Sequence, residues 1–160
     1  MYNLEDKVDA LMQLCAAQPG AEQEKARRLV RGIAAQYLPE TMNTEALVRR
    51  LLLDLGAPDH LLGHAYTVLA VRLVVQDEMY IHSITFGLYP QVAAAYHTTA
   101  ARVERGIRSL VEVTWERGSL DAQERYFGSI ISSERGKPTN AEFIARLANI
   151  VQMQQKGVWK

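Results

Sequence analysis

Arg102, Glu104 and Arg105 fall within four consecutive positions of the stretch VAAAYHTTAARVERGI, which runs from Val92 to Ile107. A guanidinium carries a fork of donors that matches O6 and N7 of guanine, and a carboxylate accepts from the amino group of cytosine. Thr98 and Thr99 precede them, and threonine hydroxyls beside the free amides of a helix start can hold a phosphate. The chemistry these residue types could do is therefore reading the edges of base pairs. Covalent chemistry has no comparable signal, because the sequence offers no nucleophile–base pair, phosphate-binding glycine loop or carboxylate dyad. Neither enzyme activity nor a cofactor is expected.

Such side chains need a helix that keeps its other face packed. Val103 and Ile107 lie four apart among the charges, so Thr98 or Thr99 is expected to cap a helix that runs to Arg117 and stops at Gly118. On a wheel of roughly 100° per residue, Ala100, Ile107, Leu110 and Thr114 fall on the side of Val103. Ala101, Arg105, Arg108 and Glu112 fall opposite, with Arg102 and Glu104 on the flanks. Pro90 opens an alanine-rich helix before it, ending near Tyr96, and Ala93 and Ala94 are small enough for close approach. His97 stands where the turn needs a left-handed backbone, which histidine tolerates better than most residues. Two helices joined by so short a turn form a helix-turn-helix, with Thr99–Arg117 as the recognition helix. The competing reading is a solvated helix face on which Glu104 and Arg108 make an ordinary i, i+4 ion pair.

The remaining segments are also helical in period. Leu4, Val8, Leu11, Met12 and Cys15 form one apolar stripe, ended by Pro19-Gly20, and Ala26, Leu29, Val30, Ile33 and Tyr37 form a second. Residues 1–42 thus read as a helical hairpin, and residues 43–160 as the helix-turn-helix domain. Asn43 or Thr44 is expected to cap a helix through Leu47, Leu51 and Leu55 that stops at Gly56. Pro58 suits the first turn of a buried central helix from His60 to about Tyr80. Ser83 is expected to cap a short piece, Asp121–Ser133 to form a helix or a helix and loop, and Thr139 with Glu142 to form a capping box ahead of Phe143, Ile144 and Leu147. No strand is expected, so the fold class is all-α.

Bulk properties bound the partners. The chain has 160 residues, 48% apolar and 22% charged, enough for a real core. Formal net charge is zero, so nucleic-acid binding must come from a local patch. The single Cys15 excludes an intramolecular disulfide and a cysteine zinc site. No signal peptide is read, and the apolar run from Tyr66 to Val75 is broken by Arg72 and too short to span a bilayer. A cytoplasmic protein without membrane contact is expected. His60 and His64 have metal-site spacing but lack a third ligand, and no metal is assigned to them. Trp159 reads as a packing anchor or a frayed end.

From Leu51 to about Val151, the segments LGAPDHLLGHAY, SITFGLYPQVAAAYHTTAARVERGIRSLVEVTWERG, YFGSIIS and KPTNAEFIA closely resemble the DNA-binding effector domain of the stage 0 sporulation protein A master regulator family. The resemblance implies a six-helix, all-α domain that binds short boxes similar to TGTCGAA, often as tandem dimers. It implies that Arg102, Glu104 and Arg105 approach bases. It also implies contact with the housekeeping sigma factor of RNA polymerase through ERGSLDAQERYFGSII, with Phe127 and Ile131 at the apolar contact positions; the alternative for Phe127 is a core residue. Two departures stand out. The region before Asn43 is too short for the receiver domain of that family and offers no phosphoacceptor, so Asp6 and Asp9 are not assigned as one. AAAYH is uncharged where a scaffold helix facing DNA often carries lysines, which implies fewer phosphate contacts.

Two functions follow as expectations. The first is a sequence-specific transcription regulator of double-stranded DNA, with Thr98, Thr99, Arg102, Glu104, Arg105 and Arg108 at the interface and residues 1–42 as a homodimerisation or partner-docking element. The second is an interaction module that keeps the fold without reading DNA, and antagonises or bridges a full-length regulator or sigma factor.

Overall fold

The computed structural model describes residues 43–131 and 136–157. The hairpin expected for residues 1–42, with Cys15, and the C-terminal Trp159 lie outside the described residues. Among the described residues there are six α-helices and no strand, so the fold is all-α, as the helical period of every segment implied.

The first helix, α1 (Thr44–Leu55), follows from its ends and its stripe. The Asn43 side chain accepts from the amides of Glu45 (3.0 Å) and Ala46 (3.4 Å), satisfying donors that a helix start leaves free. Gly56 ends it in the left-handed region (φ 75°), and the following Ala57 amide donates to the Leu52 carbonyl (2.9 Å). Leu47, Val48, Leu51, Leu52 and Leu55 are all buried, giving the helix one apolar face.

The central helix α2 (Leu62–Gln76) differs from expectation at both ends. Pro58, Asp59 and His60 precede it rather than forming its first turn, and Leu61 is extended with no side-chain cap. His60 and His64 therefore do not share a helix. The C-terminus falls at Gln76 because Asp77 turns extended and its carboxylate accepts from the Met79 amide (3.0 Å). That local bond competes with the helical pattern and starts a separate 3-10 turn, Glu78–His82. A π-helical turn, Ile84–Leu88, follows. Ser83 serves it through its carbonyl, which accepts from the amides of Gly87 and Leu88 (2.9 Å each), and the hydroxyl makes no capping bond.

The chain then passes into α3 (Tyr89–Ala95), with Pro90 in the first turn, and α4 (Ala100–Arg117). Ser119 caps α5 (Leu120–Phe127) by accepting from Ala122 N (3.3 Å). Before α6 (Asn140–Gln155), the Thr139 hydroxyl accepts from Glu142 N (3.2 Å) while the Glu142 carboxylate accepts from Thr139 N (2.9 Å). This reciprocal pair satisfies two donors at once.

Helix α2 packs against α1, α4 and α6 and so sits at the centre of the domain. Its crossing with α4 is backbone on backbone: a Cβ on Gly63 would stand 2.0 Å from the Gly106 carbonyl oxygen, closer than any real contact. A second core layer is aromatic. Phe127 stacks on Phe143 (5.6 Å, 15° between planes), and Trp115 meets both edge-on at 5.1 and 6.0 Å.

Candidate nucleic-acid interface

Helices α3 and α4 form a helix-turn-helix whose turn is closed by main-chain bonds. Tyr96 N donates to Val92 O (3.2 Å) and Thr98 N to Ala93 O (2.9 Å), with His97 left-handed between them at φ 51°. Thr99 is extended and its hydroxyl accepts from Arg102 N (3.3 Å), which fixes Ala100 as the first residue of α4. Thr99 is thus the cap, and Thr98 closes the turn through its amide. Ala93 is buried in the contact between the helices, whereas Ala94 faces solvent. Helix α2 approaches α4 closely at the Gly63–Gly106 crossing, with the Tyr66 ring beside Gly106 and edge-on to Tyr96 (5.2 Å).

The wheel divides α4 as expected. Val103, Ile107, Leu110 and Thr114 are completely buried, Val111 joins them, and Ala101, Arg102, Arg105, Arg108 and Glu112 are exposed. The exposed cations differ in freedom. The Arg102 side chain has no hydrogen-bond or ion-pair partner among the described residues. Arg105 Nε makes one long bond to the Ala101 carbonyl (3.4 Å) on its own helix. Arg108 is engaged with the Glu104 carboxylate, the i, i+4 pair that spacing allowed.

Glu104 is held at two points, because its main-chain carbonyl accepts from Asn140 Nδ2 at 3.0 Å. The same nitrogen donates to the Tyr89 hydroxyl at 3.2 Å. One amide from the first residue of α6 therefore ties α3 to α4. Burial pushes the Tyr89 phenol above its ordinary range, with the Asn140 bond acting in the opposite direction. Below this node, Lys137 Nζ pairs with Glu112 Oε1 (3.3 Å), and a cleft of about 480 Å³ opens between α4 and the start of α6, with Ile84, Tyr89, Arg108 and Pro138 among its walls.

Asn140, Tyr89 and the Gly63–Gly106 pair are the contributors that local patterns did not single out. Asn140 lies inside the capping-box motif Thr-Asn-Ala-Glu, and the motif explains its neighbours without requiring its own side chain. Both glycines interrupt strong helical patterns, where a glycine costs about 1 kcal/mol against alanine. That unrelieved cost was the available signal for a close helix contact.

At the far end of α4 the residues expected to meet sigma factor separate. Phe127 is completely buried in the aromatic layer and offers no surface to a partner, which is its core alternative. Ile131 is half-buried, Ile130 before it is 37% exposed, and Leu120, which lines the same surface pocket as Ile131, is 76% exposed. No helix among the described residues is long and apolar enough to cross a membrane. Residues 48–151, which include every side chain of the interface described above, match the family model described as sporulation initiation factor Spo0A C terminal.

Proposed function

Because the chain belongs to the family of sporulation initiation factor Spo0A C-terminal domains, which are DNA-binding regulatory domains rather than enzymes, we propose that it is a sequence-specific transcription regulator acting in the cytoplasm. It reads a short box similar to TGTCGAA through α4. Arg102 and Arg105 contact base edges, Glu104 accepts from a cytosine amino group, and Thr98 and Thr99 hold phosphate at the helix start. Arg108 acts with Glu104 rather than alone. The observation that carries the reading is the division of α4: Arg102 and Arg105 point outward with almost no internal partners, while Val103 between them and Ile107 just after them are fully buried.

A gel shift with a TGTCGAA duplex against a scrambled duplex tests it directly. Arg105→Ala is expected to weaken binding to the box by about 1–3 kcal/mol and to relax one base position. If this variant binds the box as tightly and as selectively as the parent, Arg105 does not read DNA. Residues 1–42 supply dimerisation in this reading, and sedimentation of the intact chain beside residues 43–160 checks that assignment.

The second reading, an interaction module, is favoured by the apolar surface of Leu120, Ile130 and Ile131. It fits contact with sigma factor through Ile131 and its exposed neighbours, without Phe127. A chain that binds sigma factor and shows no preference between the two duplexes belongs to this class.

A further inference from the structure

Base reading by a carboxylate requires more than its presence on the outer face of a helix. Its main chain must stay at one depth and one rotation, or the acceptor meets the wrong pair. Glu104 has only 29% of its side chain exposed, and its carboxylate is already turned by Arg108. Its carbonyl also receives a bond from outside its own helix, from Asn140. An amide nitrogen has two hydrogens, and Asn140 directs them to the Glu104 carbonyl and the Tyr89 hydroxyl, one on each helix of the reading motif. Both helices thereby take their relative rotation from a side chain that begins a third.

We infer that Asn140 is a positioning residue for sequence reading: its bridge between Tyr89 and the Glu104 carbonyl sets the angle at which α4 presents Glu104. This rests on the proposal that Glu104 reads a base, and it adds a residue that touches no nucleotide. The helix cap of α6 does not depend on it, since Thr139 and Glu142 satisfy each other's amides. An aspartate at this position keeps the shape, removes both donors, and brings negative charge to a helix N-terminus, where it is favourable. Asn140→Asp therefore separates positioning from folding.

The experiment measures the intact chain against the TGTCGAA duplex, each single-base variant of it, and a scrambled duplex. Glu104→Gln first identifies the base position at which preference is lost. Asn140→Asp is expected to reduce preference at that same position by roughly ten-fold, over and above the weakening on every duplex that its added negative charge causes. Combined with Glu104→Gln it is expected to add no further loss, the signature of two residues acting through one contact. Unchanged preference in a folded Asn140→Asp protein overturns the inference. Equal weakening on all duplexes also overturns it, because that is the added charge or a general structural effect. Should Asn140→Asp fail to fold, Tyr89→Phe removes one arm of the bridge and decides the matter by loss or retention of preference at the same position. A parent protein with no preference for the box defeats base reading itself, an outcome distinct from a parent that discriminates and a variant that matches it.

Discussion

The two halves of α4 share one helix and one buried stripe, yet are held in different ways. From Ala100 to Arg108 the outer face is charged and, among the described residues, bonded only within its own helix, through Arg105 to Ala101 and Arg108 to Glu104. The inner face is steadied by a glycine contact at Gly106 and a polar bridge at Glu104. From Ser109 to Arg117 the inner side meets an aromatic layer in which Trp115, Phe127 and Phe143 lie within 6.0 Å of one another. Gly118 then closes the helix so tightly against α1 that a Cβ there would be 2.3 Å from the Leu55 carbonyl oxygen. The C-terminal half anchors the helix, and the N-terminal half presents chemistry. Stability and recognition should therefore respond to different substitutions along a single element.

The largest effect tests the anchoring half. Phe127→Ala removes a fully buried ring that contacts both Trp115 and Phe143, and is expected to destabilise the domain by about 3–5 kcal/mol in denaturant titration. Relative preference among duplexes, measured at a temperature where the variant is folded, should be retained. Arg105→Ala is the converse case, losing box preference with no shift in denaturation midpoint. If Phe127→Ala changes which base is preferred, the two halves are coupled and the division fails. Thr99→Ala probes the boundary between helix and turn. Losing the bond to Arg102 N should cost about 1 kcal/mol of stability, and binding to every duplex should weaken together, because the role proposed for the hydroxyl and the helix start is to hold phosphate rather than to read bases.

Much of the turn and the N-terminal half of α4 was legible because its determinants are local. The left-handed turn at His97, the cap at Thr99 and the alternation of Arg102, Val103, Glu104, Arg105 and Ile107 are set by neighbours three or four residues away. The family resemblance was carried by the same dense segments. Where local patterns misled, tertiary contacts decided. Pro58 suited a helix start, but α2 begins only at Leu62, one residue before Gly63 meets Gly106. The resemblance offered Phe127 as a contact position with the core as its alternative, and stacking on Phe143 of another helix puts it in the core. Asn140 reaches Tyr89 and Glu104 from a distant part of the chain, and periodicity cannot see such a bond. The base-facing roles of Arg102, Glu104 and Arg105 rest on exposure and resemblance together, and binding measurements decide them.

The smallest effect falls beside the point where the two halves meet. His64 follows Gly63 on α2, and burial is the main cause holding its imidazole pKa below the ordinary 6.5, with Asp59 opposing and Arg49 assisting. The unfolded chain then takes up a proton near pH 6.5 that the folded chain accepts only at lower pH. Over that interval the unfolded state binds more protons, so stability rises with pH and is lost as pH falls below about 6.5. His64→Gln removes the titration and should flatten this part of the stability curve while leaving the midpoint above pH 7 nearly unchanged. Thermal denaturation of parent and variant between about pH 5 and 7.5 measures the difference. Parallel curves would assign the acid loss to carboxylates elsewhere. A flattened curve accompanied by unchanged box preference would show that the His64 titration acts on stability alone, without entering the reading of DNA.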